Sequence, residues 1–300
     1  MKQENRAESR QRKASARKKT EFKNTLKTVG LIAAPCLLVA AIIGAAFWAK
    51  KAYSLTVDYS AGLAWDGKIE GVNAGDYVQV CDYANIEIPE AEVVKSEEEI
   101  DEYISKILTE NKANELTDEF VAENFSEYAT TVDEYREYVK NMDKEENIKS
   151  YIIDYLLDNS KLTSYPKKYF NLVKKNMDRQ YKIQYQYNNN MYYQILGSYA
   201  WSSHLDYYGV SRSEYKAMVE SGTEKSVKQN LVLQYIYEEL GLDITNEDIN
   251  ASILESGYTA DQLQEALDNS GMPYWRQYTA NSKVISTLAE QAVVVPSRAE

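Results

Sequence analysis

Four copies of one short pattern punctuate the chain beyond residue 91 and restrict that region to a helical fold. Ser96–Glu99, Thr131–Glu134, Ser211–Glu214 and Thr259–Gln262 each have the S/T-x-x-E/Q spacing of a capping box. Such a box satisfies two of the backbone donors that a helix N-terminus leaves unpaired. Thr117 and Thr245 stand where simpler N-caps belong. Pro166 suits a first helical turn and Gly241 a C-cap. In "LVLQYIYEEL", Leu231, Leu233, Ile236, Tyr237 and Leu240 form a broad apolar face at helical period. The spacing predicts helices over 97–109, 118–124, 132–159, 166–195, 212–240, 246–255, 260–268 and 274–291. The expected fold is mainly α, an elongated set of helical hairpins over 91–296.

What precedes is different. Residues 50–90 alternate polar and apolar residues between Gly/Asp turns, which predicts an extended arm with one to three short strands. Before that, "VGLIAAPCLLVAAIIGAAFWA" (29–49) holds no charge. About twenty apolar residues suffice to cross a bilayer as a helix. Residues 1–28 hold ten Lys and Arg against three Glu, a net +7 within a chain of −12, so the remainder carries −19. Ten cations before the segment, against Lys50 and Lys51 directly after it, place the N-terminus in the cytoplasm and the body outside by the positive-inside rule. The expectation is therefore a disordered basic cytoplasmic tail (1–28), one transmembrane helix (29–49) and an extracytoplasmic body. A cleaved signal peptide would need a shorter apolar core and a small-x-small site, and Gly44-Ala45-Ala46 fits that poorly. Cys36 comes too early in the apolar run to serve a lipobox. An acidic body repels phosphates and argues against nucleic acid as a partner.

Tyrosine is the unusual residue, 26 against 5 Phe. It keeps an apolar ring while presenting a hydroxyl, which suits half-exposed aromatic surface. Six of the tyrosines and a tryptophan fall within "YKIQYQYNNNMYYQILGSYAW": Tyr181, Tyr185, Tyr187, Tyr192, Tyr193, Tyr199 and Trp201. These are the candidate polypeptide-binding residues. Tyr181, Tyr185, Tyr192 and Tyr199 share a face if the helix is continuous, while Asn188-Asn189-Asn190 could break it into a turn. The rings either seal two helices together or face a bound chain.

Catalytic and metal chemistry finds no support. The one histidine, His204, has Ser202, Ser203 and Asp206 on its own turn, which is not the convergent geometry of a triad. There is no His/Cys metal spacing, phosphate-cradling Gly loop or calcium loop. "SEEEIDE" (96–102) complements a helix N-terminus and reads as a solvated face. Cys36 falls within the expected membrane segment and Cys81 outside it, so they form no disulfide framework.

An ordered series of segments resembles the C-terminal chaperone domain of trigger factor. "NELTDEFVAENFSEYATTVDEYREYV" (114–139) is similar to that domain's entry. "YIIDYLLDNSKLTSYPKKYFNLVKKNMDRQ" (151–180), residues 205–249 and "ANSKVISTLAEQAVVV" (280–295) follow in the family's order. "DYANIEIPEAEVVKSEEEIDEYI" (82–104) resembles a segment near the end of the family's N-terminal domain. The resemblance covers roughly 80–295. In the family an FKBP-type isomerase domain lies between the last of these segments and the chaperone domain; here the interval from Ile100 to Asn114 holds one short helix. The ribosome-binding signature is also missing, and the apolar segment stands in its place.

The resemblance implies a membrane-tethered, ATP-independent chaperone that binds unfolded, newly exported polypeptides, with no cofactor, metal, small-molecule substrate or catalytic residue. Its rivals are a prolyl isomerase, suggested by the family name alone, and an envelope scaffold binding one specific protein.

Overall fold

A computed structural model describes residues 55–296. The expected tail (1–28) and membrane segment (29–49) lie outside the described residues. Among the described residues no helix is long and apolar enough to cross a membrane.

The described residues form ten α-helices, in order α1 (Glu97–Asn111), α2 (Asp118–Asn124), α3 (Val132–Asn141), α4 (Lys144–Asn159), α5 (Lys167–Leu196), α6 (His204–Tyr208), α7 (Arg212–Glu239), α8 (Asn246–Glu255), α9 (Leu263–Ser270) and α10 (Met272–Gln291). The mainly helical expectation holds. All four capping boxes form; Ser96 Oγ, for example, accepts from Glu99 N while Glu99 Oε2 accepts from Ser96 N. Thr245 proves to be a fifth box, closed by Asp248 in place of the Glu or Gln of the pattern. Gly241 ends α7 at φ +59°, and Leu242 N donates back to Tyr237 O at 3.2 Å. Such a left-handed turn is cheap for glycine.

One expectation changes and one alternative is decided. The helix anticipated over 132–159 is broken at Met142–Asp143 into α3 and α4. The break is held from the 90–95 segment: Lys95 N donates to Lys140 O, Lys95 Nζ pairs with Asp143, and Asn147 Nδ2 donates to Val93 O. Secondly, Asn188–Asn190 make no turn. α5 continues through them for two further turns, and the short α6 is an element the spacing does not predict.

The described chain divides into two units. One holds 55–73, 164–230 and 243–279. Its long hairpin pairs α5 with the 212–230 part of α7, and Gly222 permits the close approach: a Cβ there would stand 3.0 Å from the Tyr181 hydroxyl. The 55–73 arm lies along α5. Asn176 Nδ2 donates to Asp58 O at 2.5 Å, and Gly62, at φ +80°, leaves no room for a Cβ against the Tyr169 ring. A second cluster in this unit gathers Ile249, Ile253, Ala266, Tyr274 and Trp275, with the Trp275 indole N–H donating to Ala266 O at 3.0 Å.

The other unit holds 74–163, 231–242 and 280–296 of the described residues. Two small sheets tie its sequence ends together. β1 (Val78–Gln79) pairs antiparallel with β3 (Lys161–Leu162), and β2 (Glu87–Pro89) pairs parallel with β4 (Val293–Val295). Ile100, Ile104, Val121, Ala129, Tyr135 and Val139 form a core from α1, α2 and α3. Arg136 crosses from α3 to Glu97 and Asp101 on α1, at 2.7 and 2.8 Å. That places the acidic run 96–102 in a cap and an ion-pair set. Cys81 is half-buried beside Ser160, whose hydroxyl accepts from Cys81 N at 3.1 Å.

Candidate functional site

The tyrosine-rich stretch occupies the far end of the α5 hairpin. α5 has 30 residues and is about 45 Å long. Gly197, at φ +70°, ends it. A loop leads to Ser203, whose hydroxyl accepts from Asp206 N and starts α6. Ser202 N donates to the Asp206 carboxylate. The serines and the aspartate around His204 are thus a helix cap. His204 itself meets the edge of Tyr215, with centroids 4.7 Å apart. Burial, with Lys182 adding to it, holds its pKa below the ordinary histidine value.

The aromatic residues fall into two sets. In the packed set, Trp201 is 2% exposed and stands edge-on to Tyr207 at 4.9 Å, with Tyr192 5.6 Å away. Tyr185 lies 6.0 Å from Tyr207. Tyr181 packs edge-on against Tyr208 at 5.5 Å. The hydroxyls find partners: Tyr208 donates to Tyr181 O at 2.9 Å, Tyr215 donates to the Asp178 carboxylate at 3.1 Å, and Tyr207 accepts from Asn188 Nδ2 at 3.0 Å. Burial pushes Tyr207 up to about 12 and raises Tyr181, Tyr208 and Tyr215 as well. These four phenols stay uncharged past the pH at which a solvated tyrosine ionises.

Asn189 explains why the asparagines extend the helix. It is buried, and its Oδ1 accepts from Ala200 N at 3.0 Å and Trp201 N at 3.1 Å while its Nδ2 donates to Trp201 O at 2.8 Å. An asparagine whose amide is engaged across the hairpin no longer competes for its own backbone.

The second set faces solvent. Tyr187, Met191, Tyr193, Ile195, Leu196 and Tyr199 are exposed, Ile195 by 72% and Tyr199 by 61%. Tyr199 lies beyond the helix, so the expected alignment with Tyr181, Tyr185 and Tyr192 does not form. It stacks instead on Tyr193, with centroids 4.7 Å apart and planes at 24°. No Asp, Glu, Lys or Arg occurs between Lys182 and Asp206. Between the two sets opens a cleft of about 370 Å³ lined by Tyr185, Gln186, Asn189, Asn190, Tyr199, Trp201 and Ser202. The structure thus brings Tyr185, Tyr199 and Trp201 together and leaves Tyr187 and Tyr193 on the surface. Sequence reasoning missed Met191, Ile195 and Leu196, whose signal was an apolar last turn with no charge flanking it.

In the other unit, Glu92, Asp154 and Asp158 line a depression of about 360 Å³ with Tyr151 and Tyr155. Among the described residues no group of three His, Cys, Asp or Glu is placed to hold a metal ion.

A family model described as bacterial trigger factor protein C-terminus matches residues 131–290. A trigger factor of Syntrophomonas wolfei subsp. wolfei is 24% identical over 273 residues, which is 84% of this chain and 58% of that protein. The chain thus spans less than two thirds of the length of this curated relative.

Proposed function

The chain belongs to the bacterial trigger factor C-terminus family, and from that membership we propose that it is an ATP-independent chaperone holding unfolded polypeptides on the end of the α5 hairpin. The observation that carries the reading is the exposed apolar set. Surface aromatics and aliphatics are ordinary when scattered, whereas a contiguous group marks an interaction site. Here six large side chains of one loop and helix end are uncovered together. Tyrosine offers large contact area at small entropic cost, having only two rotatable side-chain torsions. Met191 and the tyrosines adapt to differing partners, as promiscuous binding requires.

The charge-free run at 29–49 tethers the domain to a membrane, the basic residues before it keep the tail cytoplasmic, and the bound chains are newly exported ones. The domain carries no isomerase activity in this reading.

Aggregation suppression by the full chain in nanodiscs, measured on a chemically unfolded protein, tests the chaperone role. The triple variant Tyr187→Ser, Tyr193→Ser, Tyr199→Ser should lose most of the suppression at unchanged melting temperature. Retention of full activity would sink the assignment of this surface. Protease added to intact cells should digest the body and spare the tail; a protected body would overturn the topology. A proline-peptide assay should show no acceleration above background.

A further inference from the structure

One indole stands apart from the hairpin. Of the tryptophans among the described residues, Trp201 and Trp275 are 2% and 0% exposed, whereas Trp65 is 69% exposed. It sits at the tip of a tight turn in the 55–73 arm. Leu63 bridges Ile69 antiparallel, Ala64 N donates to Lys68 O at 2.8 Å, and Gly67 N donates to Ala64 O at 3.0 Å. The Arg276 guanidinium of α10 lies over the ring, 5.8 Å from its centroid. No carboxylate of the described residues pairs with Arg276, and its Nε is buried without a hydrogen-bond partner. We infer that Trp65 and Arg276 form a docking surface for the phospholipid bilayer that carries the chain's own tether, with the indole in the headgroup layer and the guanidinium on a lipid phosphate. The inference rests on the membrane attachment proposed above and goes beyond it, giving the body a second point of contact.

Three observations favour a bilayer as the occupant. The first is reach. Six residue steps separate Ala49, the end of the charge-free run, from Leu55, where the arm begins, which is about 20 Å at full extension. The arm therefore starts beside the membrane face. The second is chemistry. An indole is an apolar ring with one N–H, and tryptophan is enriched where membrane meets water. An unpaired guanidinium takes a phosphate through parallel hydrogen bonds. The third is the treatment of negative charge at the tip. The Asp66 carboxylate turns back to accept from Lys68 N at 3.1 Å, and Glu70 pairs with Lys168 at 2.6 Å. Both tip carboxylates are thus engaged within the protein. A patch this small would hold a free protein weakly. The tether makes the contact intramolecular, where a short linker gives an effective concentration on the order of millimolar.

The tip is bound closely to α10. Gly67, at φ +87°, lies against the α10 backbone, where a Cβ would come within 2.6 Å of Gln277 N. Ser60 Oγ donates to Ser270 O at 2.8 Å and accepts from Tyr274 N at 3.3 Å. The arm, the start of α10 and α5 belong to one unit, so docking the tip fixes how that unit faces the membrane.

The test reads tryptophan fluorescence of the full chain in nanodiscs of phosphatidylcholine, with and without bromine near the glycerol end of the acyl chains. In Trp48→Phe the remaining indoles are Trp65, Trp201 and Trp275. The Trp65 share of the emission should be quenched by bromine and shifted to shorter wavelength, and adding Trp65→Ser should abolish both effects. Arg276→Gln should weaken the quenching at unchanged melting temperature, while Arg276→Lys, which keeps a charge for the phosphate, should retain most of it. Undiminished quenching in Arg276→Gln would overturn the phosphate contact. Trp48 is the internal control: its quenching in Trp65→Ser reports the 29–49 segment inside the bilayer. Trp48 quenched with Trp65 unquenched would overturn the docking surface alone. Neither quenched would overturn the membrane attachment with it. A photo-crosslinking residue at position 65 in intact cells should label phospholipid; labelling of a protein instead would give this surface to a protein partner and overturn the inference.

Discussion

Tyr207 and Tyr199 stand on the same hairpin and have opposite surroundings. Tyr207 is 7% exposed, its hydroxyl bonded to Asn188 and its ring edge-on to Trp201 and Tyr208. Tyr199 is 61% exposed and touches chiefly another exposed ring, Tyr193. The same residue type thus builds a core in one region and an exposed surface in the other. What separates them is the presence of an engaged partner for the hydroxyl and an element to cover the ring. α5 and α6, the latter five residues long, supply these to each other in the packed region, and α6 leaves the end of α5 open.

The widest break of this contrast is alkaline pH. Tyr181, Tyr207, Tyr208 and Tyr215 all have raised pKa values in the folded state, chiefly from burial. The stability they contribute as neutral phenols is fully present below the unfolded value near 10, and is lost as pH rises through their folded values, about 12 for Tyr207. Absorbance titration should show a late-ionising tyrosine class that coincides with loss of helical circular dichroism. Ionisation of all tyrosines without unfolding would show that the packed set is open to water.

Next in size is Trp201→Ala. Removing a ring this buried should cost about 3–5 kcal/mol in denaturant unfolding. A loss under about 1 kcal/mol would place Trp201 with the exposed set. Asn189→Ala should cost about 1–3 kcal/mol, since the amides of Ala200 and Trp201 lose their acceptor. Smallest in stability are Tyr187→Ser, Tyr193→Ser and Tyr199→Ser, each well under about 1 kcal/mol, as at other exposed sites. These same changes should produce the largest losses of holding activity. If every loss of activity tracked a loss of stability across both groups, the two regions would be one core and the contrast would fail.

Much of this protein is legible in its local chemistry. A cap is a bond between residues three apart, so Ser96–Glu99 and Thr131–Glu134 can be read directly from the sequence, and α2 and α8 begin and end where the spacing predicts. The order of segments along the chain identifies the family. Three features need the fold. The break between α3 and α4 depends on Lys95, more than forty residues away, capturing Lys140 O and Asp143. The run Asn188–Asn190 could be helix or turn by composition and is helix because Asn188 and Asn189 bond to Tyr207 and to the Trp201 backbone. Finally, no spacing rule divides the tyrosines. A helical wheel places rings on faces, but which face is covered is decided by α6 and α7, and Tyr199 is on no wheel at all because Gly197 has already ended the helix. The sequence by itself determined helices, caps and family, because those are set by neighbours along the chain. The tertiary structure alone decided which apolar surface is left exposed, because exposure belongs to whatever packs, or fails to pack, from elsewhere.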